Sequence, residues 1–235
     1  MEKKETVNLL FDFLHRSFMH HALWFSEVRR QLGDEKAYAL LNEVWNKSLA
    51  IQLERFSKIA GVNINETLSG LPQDKLDAIR DAIAVNWLAT DGIWFQAVEF
   101  SRGMSDAKRC NDSCWAQFSP FEAKSIKAML GLEEKPRLEG LKKALNLRLY
   151  AYINEQEITD ENEDSFIFRM KRCRVQAARN RKGLADYPCK SGGLVEYTTF
   201  AETIDSRIKT ECIACPPDIH PEEWYCAWRF SLNDK

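Results

Sequence analysis

"LRLYAYINEQEITDENEDSFIFRMKRC", residues 147–173, decides the fold. Before it, apolar residues recur every three or four positions. Within it they alternate. Leu147, Leu149, Ala151 and Ile153 alternate with Arg148, Tyr150 and Tyr152, and Phe166, Phe168 and Met170 alternate with Ile167, Arg169 and Lys171. A period of two is that of a strand with one face turned inward. The acidic "TDENED" between the two runs suits a hairpin connection, so two strands are expected here.

Working towards the N-terminus, the pattern is helical. Val7, Phe11, Leu14, Phe18, His21, Phe25, Val28 and Leu32 recur at alternating spacings of four and three, which predicts one helix with a long buried stripe. Gly33 ends it and Asp34 opens the next, whose stripe is Tyr38, Leu41, Trp45, Leu49, Leu53 and Phe56, stopped at Gly61. Pro72 and Asp74 open a third helix through Leu76, Ile79, Ile83 and Trp87. Further helical segments are expected at 92–100, 119–132 and 138–147. Towards the C-terminus, 175–183 and 195–204 read as short helices, and "RIKTECI" and "EWYCAWRF" as two more strands. On the last strand Trp224, Cys226, Trp228 and Phe230 share a face. The expected class is α+β: a helical N-terminal half packed on a C-terminal four-stranded antiparallel or mixed sheet module in the order ββααββ. The expected regions are a helical part, 1–145, and a sheet module, 146–235, as two layers of one integrated domain.

Composition narrows the partners. The 235 residues are 45% hydrophobic and 29% charged, and the net charge is −2, so no global field favours nucleic acid or an anionic membrane. Glu5, Asp12, His15 and Arg16 interrupt the first apolar run, unlike a signal peptide. No uncharged stretch approaches the ~18 residues of a membrane span. The expectation is a soluble, cytoplasmic protein with no nucleic-acid or membrane partner and with room for a homodimer. In a reducing compartment its seven cysteines serve as ligands, catalysts or core residues before they serve as disulfides.

Three groups of residues could carry chemistry. The first is Cys189-x22-Cys212-x2-Cys215-x10-Cys226, with "CPPD" making a stiff turn after Cys215. CxxC lets two thiolates hold one ion from a tight turn, and tetrahedral zinc takes four such ligands. Buried sheet cysteines, a redox pair and an iron–sulfur centre are the competing readings. His220, beside Pro221, reads as a loop residue rather than a ligand. The second is the basic run "RMKRCRVQAARNRK", 169–182, in which Arg174 and Arg179 either contact an anionic ligand group or form a solvated face. The third is "NWLATDGIWFQAVEFSRG", 86–103, where Trp87, Asp91, Trp94 and Glu99 sit at helical intervals and line a ligand pocket or fill a core. GxSxG, P-loop, Rossmann and HExxH patterns are absent from the sequence.

"NWLATDGIWFQAVE", "CNDSCWAQFSPFEA" and the stretch from "CRVQAARNRKGLADYPCKSGG" to "CPPDIHPEEWYCAWRF" together resemble an uncharacterised family of bacterial cytosolic proteins. That family is grouped with L-2-amino-thiazoline-4-carboxylic acid hydrolase-like proteins, and the resemblance covers most of the chain. The ending also resembles the 4-vinyl reductase domain, a small-molecule-binding module of aromatic-compound sensors. Some of those bind zinc through a cysteine, then Glu-x-x-Cys, then a final cysteine. By position the resemblance implies Cys189, Cys212, Cys215 and Cys226, with Cys212 in the glutamate's place and a longer last interval.

The expectation is therefore a small-molecule-binding protein with a structural four-cysteine zinc site. Its ligand would be held by Trp87, Asp91, Trp94, Glu99, Arg174 and Arg179, and would be a small heterocyclic or amide-like compound that the protein either hydrolyses or only senses. A closed thiolate site leaves no position for water, so a hydrolytic base has to come from elsewhere: Asp91, Glu99 or His21.

Overall fold

The computed structural model describes residues 3–184 and 186–232. They form an α+β protein in two compact units, one ending at Leu71 and the other beginning at Pro72. The layer boundary expected near 145 lies inside the second unit. Among the described residues no helix is long and apolar enough to cross a membrane.

The first unit holds α1 (Lys3–Leu32), α2 (Asp34–Ala60) and the short α3 (Ile64–Ser69). Gly61 ends α2 in the left-handed conformation, φ 70°, and its N–H returns to the Ser57 carbonyl. Asn63 then caps α3 by accepting from the N–H groups of Asn65 and Glu66. The stripe on α1 departs from expectation. α1 has no buried residue, and Phe11 and Phe18 are 66% and 69% exposed. Its packing on α2 is concentrated near their junction, where Phe25 meets Tyr38 at 5.4 Å and an apolar groove is lined by Trp24, Val28, Leu40 and Val44. Two long helices and one short one cannot enclose both faces of that stripe.

The second unit is layered. Its sheet has the order β1-β2-β4-β3 and is antiparallel throughout, with β1 Glu155–Thr159, β2 Ser165–Arg172, β3 Ile208–Ala214 and β4 Cys226–Leu232. One face is apolar: Phe166, Phe168 and Met170 lie beside Trp228, Phe230 and Ile208. The helix α8 (Lys190–Ile204) covers it with Tyr197, Phe200, Ala201 and Ile204, and α6 (Arg137–Leu145) adds Leu138, Leu141 and Leu145. The other face carries cross-strand ion pairs, Arg169 with Glu157 at 3.7 Å and Arg229 with Glu211 at 3.3 Å. Beyond α8 lies α5 (Met104–Met129), then α4 (Gln73–Arg102). The segments expected at 92–100 and after Pro72 are one continuous helix, α4. The short α7 (Arg174–Arg181) follows β2.

Residues 147–153 are not the first strand. Leu149–Tyr152 form a 3-10 turn, and β1 begins at Glu155. The alternation is broken because both of its sides are used: Arg148 is buried in the core and Tyr150 packs on Trp115 at 5.7 Å. Trp224, expected on the face of β4, lies before the strand.

A buried carboxylate ties three elements of this unit together. Asp205, just past α8, accepts from the N–H of Arg137 at 2.9 Å, the N–H of Arg207 at 3.1 Å, and the Arg207 guanidinium at 3.0 and 2.8 Å. The first of these pins Arg137 at a left-handed φ of 59°. The Arg207 hydrogen bonds hold the Asp205 carboxyl down to about 2. A carboxyl depressed in the fold stabilises above the unfolded range of about 3.9, and that contribution fades as pH falls through about 2. Asp205→Asn should therefore cost roughly 2 kcal/mol at pH 7, with the gap from the parent shrinking between pH 4 and pH 2. A pH-independent gap in urea midpoints would refute this.

Candidate functional site

Two cavities flank α4 in the second unit. One, of about 340 Å³, lies among α4, α7 and the 3-10 turn, and its wall includes Asp91, Tyr150, Arg174, Arg179, Lys182 and Tyr187. The other, of about 380 Å³, is a cleft between α4 and α5, lined by Trp87, Trp94, Val98, Cys110, Cys114 and Phe118 among others. They share Asp91, Phe95, Asn111 and Trp115. Helical spacing produces this: Trp87, Asp91, then Trp94 and Phe95, then Val98 follow at three or four residues on α4, as do Asn111, Trp115 and Phe118 on α5.

The walls are stiffened by ring contacts. Trp87 meets Tyr150, Phe118 and Trp115 at 5.0, 5.8 and 6.0 Å. Trp94 is 70% exposed, so it stands at the cleft's rim. Across the other cavity, Phe95 meets Tyr187 edge-on at 4.9 Å. Tyr187 donates from its hydroxyl to Asn111 at 2.6 Å, and its backbone is clamped at 2.9 Å in each direction by the buried Gln176 amide.

The charged residues divide unequally. Arg179 is buried and forms a two-pronged pair with Glu99 at 3.2 and 3.3 Å, joining α7 to α4. Glu99 is thereby taken out of the cavity walls and becomes Arg179's partner. Arg174 is exposed at the start of α7, and its own N–H donates to the Asn154 side chain at 2.8 Å. Lys182 donates to Gln96 at 3.2 Å. Asp91 is half-buried, burial pushes its carboxyl pKa up, and it has no hydrogen bond or ion pair among the described residues.

The cysteines converge at the head of α8. Lys190 donates from its N–H to the Pro216 carbonyl at 2.9 Å and from Nζ to Asp218 at 2.8 Å, while Asp218 turns back on Cys215. This brings Cys215 beside Cys189 and Cys226, and these two neighbours together with burial push its thiol pKa far up. Burial, helped by nearby Cys189 and Cys226, pushes Cys173 up to about 12, and burial pushes Cys212 up to about 11. Cys173, Cys189, Cys215 and Cys226 line a narrow space of about 70 Å³ that shares Asn111, Trp115, Tyr150 and Tyr187 with the cavity of about 340 Å³. Cys212 stands outside that lining, and Cys173, which spacing left out, is inside it. Among the described residues no group of three or more His, Cys, Asp or Glu side chains has the arrangement of a metal site. His220 is a loop residue, its ring 6.2 Å from that of Trp224.

Between these spaces and the core lies a charge network that no motif announced. Arg148 donates to Glu122 at 2.8 Å and approaches Glu196 at 2.6 Å, an ion pair whose angle is not that of a hydrogen bond. Burial pushes Glu196 up to about 7 against the pull of Arg148. The signal was a glutamate on the inward face of the apolar run "LVEYTTFA".

The sequence model described as a family of unknown function, DUF6125, matches residues 69–232, most of the chain and nearly all of the second unit. The chain belongs to DUF6125. No curated protein and no solved structure matches it. The DUF6125 region holds both cavities, the thiols and the buried charges, whereas His21 lies in the first unit, on an apolar groove of its own. Membership in DUF6125 carries no activity, so it has no bearing on the likeness to thiazoline-carboxylate hydrolases or to 4-vinyl reductase domains.

Proposed function

We propose that the DUF6125 unit binds a small, partly apolar molecule in the aromatic cavities around Asp91. What supports this is the pair of cavities of about 340 and 380 Å³ that share one carboxylate and two aromatic side chains, at the lower end of the roughly 300–1,000 Å³ usual for ligand pockets. Of the three candidate bases, Glu99 is committed to Arg179 and His21 belongs to the other unit, so hydrolysis would rest on Asp91. Without turnover the same cavities make a sensor. Native mass spectrometry of the purified chain should show a small molecule retained or taken up, and Trp87→Ala should weaken its hold at least tenfold. Unchanged retention in Trp87→Ala would remove the basis for this reading.

A second reading has its own support. Cys173, Cys189, Cys215 and Cys226 line one small space, thiols suit a soft metal, and we propose that this cluster takes one structural zinc once the sulfurs draw together and shed their protons. Elemental analysis should give about one zinc per chain, lost in Cys215→Ser. Zinc-free protein whose thiols all react freely after unfolding, and which takes up no added zinc when folded, would defeat it.

A further inference from the structure

We infer that the cleft between α4 and α5 is a site for an organic cation: an ammonium group on an aromatic or alkyl body, with the charge on Asp91 and the body against the indoles. This deepens the small-molecule reading above and rests on it.

Charge is the first argument. Among the described residues lining this cleft, Asp91 is the one charged side chain. It has neither ion pair nor hydrogen bond among the described residues. A half-buried carboxylate in an apolar wall has lost part of its water without gaining a partner, and its pKa rises for that reason. An ammonium group returns what the carboxylate has lost. A bound anion would face it with no cation in the cleft to answer, and a neutral hydrocarbon would strip the remaining water from it unmatched.

The neighbouring cations do not substitute. Arg179 is paired with Glu99, Lys182 donates to Gln96, and Lys108 is paired with Asp112 at 2.9 Å. Arg174 stands at the exposed start of α7 and lines the other cavity. The anionic ligand group expected from the basic run therefore has little claim on this cleft.

The walls are the second argument. Trp87, Trp94, Phe95, Trp115 and Phe118 line a space of about 380 Å³. Aromatic faces carry a negative quadrupole and attract cations, tryptophan most of all, and the attraction grows as water is removed. Exposed Trp94 leaves the entrance wet while the interior rings are held in contact with one another. One carboxylate within an aromatic lining has the chemistry that recognises ammonium, and a cleft of this size accommodates an attached ring.

The test uses the full chain and a charge-matched set of probes: benzyltrimethylammonium, phenethylammonium, neutral hydrocinnamide and anionic hydrocinnamate, followed by tryptophan fluorescence and calorimetry. The ammonium probes should bind at least tenfold more tightly than hydrocinnamate. Asp91→Asn, which breaks no pairing in the fold, should lose that preference at least tenfold while hydrocinnamide binds at least as tightly as to the parent. Trp94→Ala, at the exposed rim, should weaken both ammonium probes. Equal ammonium affinity in Asp91→Asn, or hydrocinnamate binding more tightly than the ammonium probes, overturns the cation site while the small-molecule reading stands. If none of the four probes binds, the cation site is wrong, and the broader reading is judged separately by the molecule retained in native mass spectrometry.

Discussion

Replacing Arg148 by methionine should destabilise the second unit by about 3–5 kcal/mol. The guanidinium is almost wholly buried and is the counter-charge of two carboxylates, Glu122 at 2.8 Å and Glu196 at 2.6 Å. It also lies over the Phe200 and Tyr197 rings, at 4.7 and 5.3 Å. Methionine keeps most of the volume and removes the charge, so both carboxylates are left in apolar surroundings and must take up protons or draw in water. Breaking such a group from one side costs far more than replacing it whole. Arg148→Met combined with Glu122→Gln and Glu196→Gln should therefore recover more than half of the loss. The measurement is urea unfolding at neutral pH. A loss below about 1 kcal/mol for the single variant, in the range of an exposed pair, would mean that this network contributes nothing special to the fold.

Trp228→Ala should cost about 3–5 kcal/mol, the range for deleting a large aromatic from a core. Trp228 is fully buried at the centre of the sheet, with Tyr197 at 4.8 Å. Its ring also lies flush against the α8 backbone at Gly193, where an added Cβ would come within 2.6 Å of Cζ2 and 3.0 Å of Cη2. Gly193→Ala should consequently lose about 1–3 kcal/mol by overpacking, despite alanine's better helix propensity. The two defects share one space, so Gly193→Ala should be nearly harmless when Trp228 is leucine. Thermal or urea unfolding of the parent, Gly193→Ala, Trp228→Leu and the double variant closes the cycle. Simple additivity would show that the indole and the α8 backbone are not in contact.

How far the sequence foretold this depended on whether a signal was local. β2, β3, α7 and α8 were legible because alternation, helical spacing and glycine act over a few residues. The α4 face was legible for the same reason: Trp87, Asp91 and Trp94 share it through spacing alone. Residues 147–153 misled because a buried arginine imitates the outward position of a strand, and its partners Glu122 and Glu196 are distant in sequence. Glu99 and Arg179 were each read as facing a ligand, and only the crossing of α7 over α4 shows them facing each other. Cys173 was passed over in favour of Cys212 because CxxC spacing is visible in the chain, whereas the approach of β2 to the start of α8 is not. The stripe on α1 was read correctly as a pattern, but a pattern states what could be buried and not what is available to bury it.

The strand order has a bearing on how the second unit is assembled. β2 meets its first neighbour, β1, across a tight connection, but its other edge pairs with β4, so that Met170 lies opposite Cys226. α7, α8 and β3 all intervene. During synthesis the β1–β2 hairpin therefore emerges with Phe166 and Phe168 facing only what precedes them, α6 included, and α8 can shelter them further well before the ladder is complete. The central pairing is thus among the last contacts to form and closes the longest loop in the sheet. An interruption of translation between α8 and β4 would leave a sheet with an open middle edge, the kind of intermediate that chaperones retain and that self-associates when released early.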